Sequence, residues 1–567
     1  MPTLRLFRNT EFALSSLFFS PEQQRAATHP GWIIVTASLW IATVCNLALW
    51  RALWRLPDLH SAHGLWFGIG FAVAIAAAIG AILSLLCWRW TFKPAITLLL
   101  LIAAAGTYFM LSYGVVIDTP MMVNVLQTNP REVANLMNWR LAVTVLVLAL
   151  LPALWLWPRP LRRIGGWRQL RMNAIVFIAS IVVFIGALLL FYVDFASVMR
   201  NHTQLRYLVN PLNTLYALGD LAAGSRHHER GPLVPIATDA KLGASYRDQA
   251  KPPLLLLVLG ETGRAGNFGL NGYARDTTPE LARAGVVSER NAWSCGTSTA
   301  TSVPCMFSDL GRTEFEASDK NQGNLLDLLQ RLGLAVLWID NQAGCKGVCD
   351  RVPHVDTSHL NVPGLCSDGE CLDGVMLVGL DRRIDALPAA ARARGVVLVM
   401  HQIGSHGPAY YKRSPPAYKK FLPECTSNAL ETCTRQQVVN AYDNSVLYTD
   451  HFLASCIAWL KDQQPWAAPA MVYVADHGES LGENNLYLHG LPYRVAPDVQ
   501  KHVPWITWLS PAIQQRTGIS TACLDKQRDR RISHDDYFDS VLGLLDVQTR
   551  LYHRDRDIYA DCEKSRA

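Results

Sequence analysis

Charge is scarce in this chain. Of its 567 residues only 17% are Asp, Glu, Lys or Arg, whereas 50% are hydrophobic and 17 are tryptophan. That balance excludes an ordinary soluble chain. The scarcity is concentrated in the first 200 residues. Five stretches there, at about 31–50, 64–88, 95–117, 141–158 and 173–193, carry no charge at all. Each is long enough to cross a bilayer, the fourth with help from its flanks. No span contains an internal acidic or basic residue, which argues against an ion or proton pathway. The amino terminus has Arg5, Arg8 and Arg25 but lacks the short apolar core and small-residue site of a cleavable signal. A net charge of +6 comes without any nucleic-acid motif. Its basic residues flank the apolar stretches and so report orientation. Arg159, Arg162, Arg163, Arg168 and Arg171 lie between the fourth and fifth stretches, and Arg89 and Lys93 follow the second. The positive-inside rule makes those loops and the amino terminus cytoplasmic, with Arg51 and Arg55 a mild exception. An odd number of spans then puts everything after residue 195 outside.

Cysteine is nearly absent from the membrane part: only Cys45 and Cys87 lie there, and the other 11 of 13 follow. Close pairs stand at 295/305, 345/349, 366/371 and 425/433. Their spacings differ from the Cys-x2-Cys pattern of zinc sites, so short-loop disulfides in an oxidising compartment are expected. Cys456, Cys523 and Cys562 are left without an assigned partner. The expected division is 1–195 membrane, 196–250 bridge and 251–567 outer domain. Phe195 to Leu221 has helical periodicity and places basic and aromatic residues at headgroup level. Residues 223–250 read as a linker. In the outer domain, apolar runs near 254, 335–339, 396 and 471 alternate with helical patterns at 323–332 and 437–461. This predicts an α/β domain with a mostly parallel sheet.

Three of those runs end in ligand-type residues. Leu254–Leu259 leads to Glu261; Val396–Met400 leads to His401 and His406; Met471–Ala475 leads to Asp476 and His477, with His489 beyond. Ligands gather at the carboxyl ends of strands in open α/β sheets. Carboxylate and imidazole together suit a divalent metal such as zinc. Cys295-Gly-Thr-Ser-Thr-Ala-Thr-Ser-Val-Pro-Cys305 adds a hydroxyl cluster, and a base or metal would make one of them a nucleophile. Free N–H groups at a helix start there would favour a phosphate. Spacing leaves Thr297, Ser298, Thr299, Thr301 and Ser302 in competition. After the third span, Asn124, Thr128 and Glu132 recur at four-residue intervals, which puts them on one helix face. Pro130 argues against one unbroken helix.

The stretches GETGRAGNFGLNGY, SCGTSTATSVPCMFS, KGVCDRVP, HQIGSHGPAYYKR and ADHGESLGENNLYLHG resemble the lipid A phosphoethanolamine transferases. That family includes transferable colistin-resistance enzymes and belongs to the alkaline phosphatase/sulfatase superfamily. The resemblance covers nearly the whole chain. It implies an α-helical membrane domain of five transmembrane helices plus an α/β alkaline-phosphatase/sulfatase-like periplasmic domain, in the inner membrane of a Gram-negative bacterium. It implies Zn2+ bound by Glu261, Thr299, Asp476 and His477, with Thr299 as nucleophile. Lys346, His406 and His489 match positions that contact the phosphoryl group or hold a second zinc, and Asn124, Thr128 and Glu132 match substrate-binding positions. The implied reaction moves phosphoethanolamine from phosphatidylethanolamine to lipid A through a phosphoethanolamine–threonine intermediate. The result is lower surface charge and resistance to polymyxin. The protein is expected to be a monomer, with no nucleic-acid partner. Gln342-Ala343 departs from the Asn-Ser of relatives and puts headgroup contacts there in doubt. The alternative acceptors are core heptose, Kdo or another glycan. A sulfatase or phosphatase is the second reading, although the Cys/Ser-x-Pro-x-Arg signature is missing at Ser302-Val-Pro-Cys305-Met. A non-catalytic membrane scaffold is the third.

Overall fold

The computed structural model describes residues 27–128, 130–162, 164–202, 204–228, 232–247, 249–318, 320–367 and 369–563. Arg5, Arg8, Arg25 and Arg163 lie outside them, as do the side chains of Arg131 and Glu132. The chain forms two compact units.

The first unit takes residues 1–111, 116–118 and 138–218. Its helices α1 (Pro30–Trp54), α2 (Ala62–Leu86) and α3 (Phe92–Ser112) are long and apolar enough to cross a membrane. So are two further helices, Trp139–Leu156 and Gly166–Leu190. The third expected span ran to 117, but the helix ends at Ser112, where Gly114 turns the chain at φ 72°. The fifth begins seven residues early, so Arg168 and Arg171 ride on its first turns. Ile34, Ile41, Leu49, Phe67, Ile79 and Leu100 fill the middle of the bundle. Small residues let the helices close up: a Cβ on Gly80 would sit 3.0 Å from Ser180 Oγ. Several buried polar groups are paired across the helices, which offsets the cost of placing them in an apolar interior. The Asn210 amide nitrogen reaches the carbonyls of Cys45 at 2.9 Å and Ala103 at 2.7 Å, and Asn46 Nδ2 donates to the Asn210 carbonyl at 2.6 Å. The helix expected over 195–221 is broken into Tyr192–Asn201, Gln204–Tyr207 and Leu212–His228. Pro211 lacks a donor and disfavours helix at Asn210.

The second unit takes residues 112–115, 119–137 and 219–567. The stripe after the third span therefore groups with the sheet domain. It forms α4 (Thr119–Gln127) and α5 (Pro130–Leu136), separated before Pro130. The domain is built on strands β1 (Pro253–Gly260), β2 (Val287–Trp293), β3 (Ala335–Asp340), β4 (His354–Asp356), β5 (Val396–His401), β6 (Ala468–Ala475), β7 (His502–Leu509) and β8 (Ile532–Ser533). They form one sheet in the order β8-β2-β7-β6-β1-β5-β3-β4. The sheet is parallel except for β7, which runs against both neighbours. Strands β1, β5 and β6 are buried along their whole length, as continuous apolar runs should be. Helix α6 (Arg435–Asp462) starts from a Thr434/Gln437 capping box and buries Val438, Tyr442, Val446, Phe452 and Leu460.

All four expected disulfides are present, and Cys523 pairs with Cys562. Cys456 is a free, buried thiol.

Candidate active site

The site lies where β6, β1 and β5 end side by side. Gly260 is in register with Ala475 and Leu259 with His401. The next residues therefore share one edge: Glu261 after β1, Asp476 and His477 after β6. The strand ends are laced together, with the Asp476 N–H donating to Gly260 at 2.8 Å and the Ser405 N–H to the Glu261 carbonyl at 3.1 Å. Asp476 Oδ1 accepts from the N–H of both Thr262 and His477.

Against this edge comes helix α7 (Thr299–Met306), which begins at the hydroxyl cluster. Thr299 Oγ1 lies 3.1 Å from each Glu261 carboxylate oxygen and 3.4 Å from His477 Nε2. Three of the four competing hydroxyls are engaged elsewhere: Thr297 donates to the Leu491 carbonyl at 2.6 Å, and Ser298 donates to Thr301 at 3.4 Å. Ser302 is buried without a partner. The Cys295–Cys305 disulfide ties the approach to α7 back onto the helix.

Ligand atoms of Glu261, Asp476 and His477 all lie within 4.8 Å of one another, and all three side chains are buried. Asp476 Oδ2 has no hydrogen-bond partner. Burial, and after it the charge of Asp476, holds the Glu261 carboxyl above its usual range. Burial opposes a charge on His477, yet Asp476, Glu261 and the Gly478 carbonyl lift it to about 9. His477 Nδ1–H donates to the Gly478 carbonyl at 2.9 Å, which leaves Nε2 facing the carboxylates. A divalent cation would take the proton's place there and relieve the repulsion. Two carboxylates, an imidazole Nε2 and a hydroxyl fit zinc.

Around this centre stand three more expected residues. His406 is half-buried and His489 buried, with ring centroids 5.4 Å apart, and the His489 ring lies 4.4 Å from that of His477. Burial, reinforced by neighbouring positive charge, pushes both imidazoles well below their usual range, so both are neutral. Glu479 fixes His489 by accepting from Nδ1–H at 2.9 Å. Lys346 sits at φ 51° in the loop closed by Cys345–Cys349, with Nζ donating to the Ala343 carbonyl at 3.0 Å. Helix α4, with Asn124, packs against α7, and Thr128 Oγ1 donates to the Asn124 carbonyl at 2.7 Å. Met121 abuts Gly490, and Tyr487 N–H donates to the Tyr113 carbonyl at 2.8 Å. Segment 119–137 is therefore part of the site's surroundings. The Glu132 side chain lies outside the described residues.

Several residues escaped sequence reasoning. Asp340 ends β3 and accepts from His401 Nδ1–H at 3.1 Å; His401 Nε2 is 3.8 Å from Glu261. The signal, an apolar run ending in a carboxylate, was the same one that marked Glu261. Arg413 is buried and donates to the His406 carbonyl at 3.0 Å. His534 accepts from the Cys295 N–H at 3.0 Å and donates to the Ala475 carbonyl at 3.0 Å. It pins the loop that leads to Thr299 to the strand that delivers Asp476.

A family model described as sulfatase matches residues 253–547, and one described as phosphoethanolamine transferase EptA/EptB matches 75–225. The chain is 39% identical to phosphoethanolamine transferase EptA of Escherichia coli (strain K12), over 94% of the chain and 97% of that protein. The chain belongs to the EptA family of phosphoethanolamine transferases. This transferase is also 37% identical to phosphatidylethanolamine transferase Mcr-1 of Escherichia coli, over 92% of its length and 96% of the relative's. Its fold matches the integral membrane protein lipooligosaccharide phosphoethanolamine transferase A (EptA) from Neisseria meningitidis. The TM-score is 0.88 at 35% identity, covering 94% of this chain and 98% of that one. With its five apolar helices the transferase is a multi-pass inner-membrane protein whose sheet domain is of the sulfatase type.

Proposed function

We propose that the transferase moves phosphoethanolamine from phosphatidylethanolamine to a lipid A phosphate, acting as a monomer through two displacements at Thr299. The observation that carries this reading is the position of Thr299 Oγ1, 3.1 Å from Glu261 at the start of a helix. The named donor of Mcr-1 and the lipooligosaccharide acceptor of the Neisseria meningitidis enzyme support the choice of substrates. One zinc held by Glu261, Thr299, Asp476 and His477 would supply a Lewis acid that lowers the hydroxyl's pKa and offsets charge on the phosphoryl oxygens.

The chain's own residues divide the remaining work. Thr299 Oγ1 presents its proton to the Glu261 carboxylate. The oxygen then bonds to the donor phosphorus, and the phosphorus–oxygen bond to diacylglycerol breaks. His406 or His489 delivers a proton to the departing oxygen. Both rings are neutral in the free site, and an anionic phosphodiester between them and Lys346 favours their charged, donor form. In the second displacement an oxygen of the lipid A phosphate attacks the same phosphorus and Thr299 leaves. Asn124, Thr128 and Glu132 are assigned to lipid binding, since their segment packs against the nucleophile's helix. The product carries an added amine, which weakens attraction of cationic peptides such as polymyxin.

Mass spectrometry of lipid A from polymyxin-sensitive Gram-negative cells tests this reading. Cells expressing the native chain should gain a phosphoethanolamine-sized mass that Thr299→Ala abolishes. A gain confined to core sugars would move the acceptor to heptose or Kdo, and a gain with Thr299→Ala would remove the nucleophile assignment.

A further inference from the structure

Two of the disulfide-closed loops converge on one end of α5. The Cys366–Cys371 bond closes a small hairpin that carries Glu370, and the Cys425–Cys433 bond closes a loop that carries Asn428. Asn135, near the carboxyl end of α5, is buried between them. Its Nδ2 donates to Glu370 Oε1 at 2.8 Å, and its backbone carbonyl accepts from Asn428 Nδ2 at 2.8 Å. Its Oδ1 accepts from Lys412 Nζ at 3.3 Å. Both side-chain polar atoms and the backbone carbonyl of that residue are therefore held by these loops and their neighbour Lys412.

The contact does not stop at Glu370. Its other oxygen, Oε2, accepts from Arg413 Nη1 at 3.0 Å. The same guanidinium, almost wholly buried, donates from Nε to the His406 carbonyl at 3.0 Å. An unbroken chain of polar contacts thus runs from α5 through Asn135, Glu370 and Arg413 to His406. Arginine suits the third place because its planar fork addresses two acceptors at fixed angles. The start of the chain lies on segment 119–137, and the end lies at a histidine assigned above to the phosphoryl group.

We propose that the two disulfide-closed loops form a clasp on α5 whose purpose is positional. Glu370 and Arg413 are positioning residues that hold the lipid-side segment in register with His406. The clasp forms only after export, because both loops depend on disulfides that an oxidising compartment allows. Asn135 and Glu370 touch no reacting atom, so their effect on transfer passes through the segment and the histidine they hold. The proposal rests on the transferase reading for the role of His406, and on the contacts alone for the linkage.

Two measurements on the full chain, purified and reconstituted in phosphatidylethanolamine vesicles, separate those parts. The first is a double-mutant cycle on transfer with Asn135→Ala, which severs one end, and Glu370→Gln, which removes the ion pair at the other. In a linkage acting in series each single change lowers kcat/KM for the lipid donor about tenfold, and the double change costs little more than either. Glu370→Gln leaves the buried Arg413 charge without its counter-ion and lowers the melting temperature, so transfer is read well below the transition, where both variants stay folded. Multiplicative losses in the double variant, or losses that only follow the melting temperature, would overturn the positional role. The second is amide hydrogen exchange in Glu370→Gln, which needs no turnover. Faster exchange both in 130–136 and in the loop around His406 is expected. Exchange that rises around His406 alone, or in neither place, would overturn the linkage, whatever the reaction proves to be.

Discussion

At the scale of single residues, the site depends on groups that could not stay buried without one another. Asp476 gives Oδ1 to two backbone donors, while Oδ2 has no hydrogen bond and faces His477 Nε2 at 3.3 Å. Asp476→Asn keeps the shape but removes the charge that a metal needs. Elemental analysis of the purified protein should show zinc affinity reduced at least about tenfold, the scale seen even for outer-shell partners. His534 is structural in a different way, since its two ring nitrogens each satisfy a buried backbone group. His534→Leu strands both groups and should cost about 2–5 kcal/mol in thermal or denaturant unfolding. The same residue gives the protein an acid sensitivity. Burial holds its pKa at about 3, below the 6.5 of an ordinary histidine. The unfolded chain therefore takes up the proton first. Stability from this residue is complete above about 6.5 and is lost as pH falls toward 3. His534→Leu should flatten part of that decline, to which His406 and His489, shifted the same way by burial, also contribute.

At the scale of elements, the sequence spoke clearly where burial is two-sided. The runs ending at Gly260, His401 and Ala475 are strands because apolar residues fill both faces. Strand β2 was invisible because it reads Val-Ser-Glu-Arg-Asn-Ala-Trp, although Glu289 is buried enough for its carboxyl to be pushed up to about 7. The same contrast holds at the site. Glu261, Asp476 and His477 follow strands and could be read in order, whereas His534, Glu370 and Asn135 reach the site only through folding. The loop after β5 shows how tightly these elements meet. Gly404 has φ 50°, and a Cβ there would lie 2.6 Å from the Glu261 carbonyl oxygen. Gly404→Ala must push the Glu261 backbone or strain its own. It should cost about 1–3 kcal/mol in stability and lower zinc content. A variant with native zinc content and melting temperature would contradict that close approach.

At the scale of the whole molecule, the spans were legible in composition but their ends were not. Gly166–Leu190 begins inside what read as a basic loop, and the helix after Phe195 breaks at Pro211. The segment between the third and fourth spans read as a membrane-surface stripe, yet it belongs to the sheet domain's unit. Orientation rests on the basic residues at Arg89, Lys93, Arg159, Arg162, Arg168 and Arg171. A reporter enzyme active only outside the inner membrane, fused after the carboxyl terminus, should therefore be active. Neutralising Arg159, Arg162, Arg168 and Arg171 together should lower that activity, and an inactive reporter on the native chain would reverse the assigned topology.

The central claim is that Thr299 carries the phosphoethanolamine group between the two lipids. Its most direct test is peptide mass spectrometry of the zinc-loaded full chain, incubated in phosphatidylethanolamine vesicles without any acceptor. The account predicts diacylglycerol release together with a phosphoethanolamine-sized mass on the peptide containing Thr299, and loss of that mass once lipid A is added. Diacylglycerol release with the group on another residue, or on none, would contradict it.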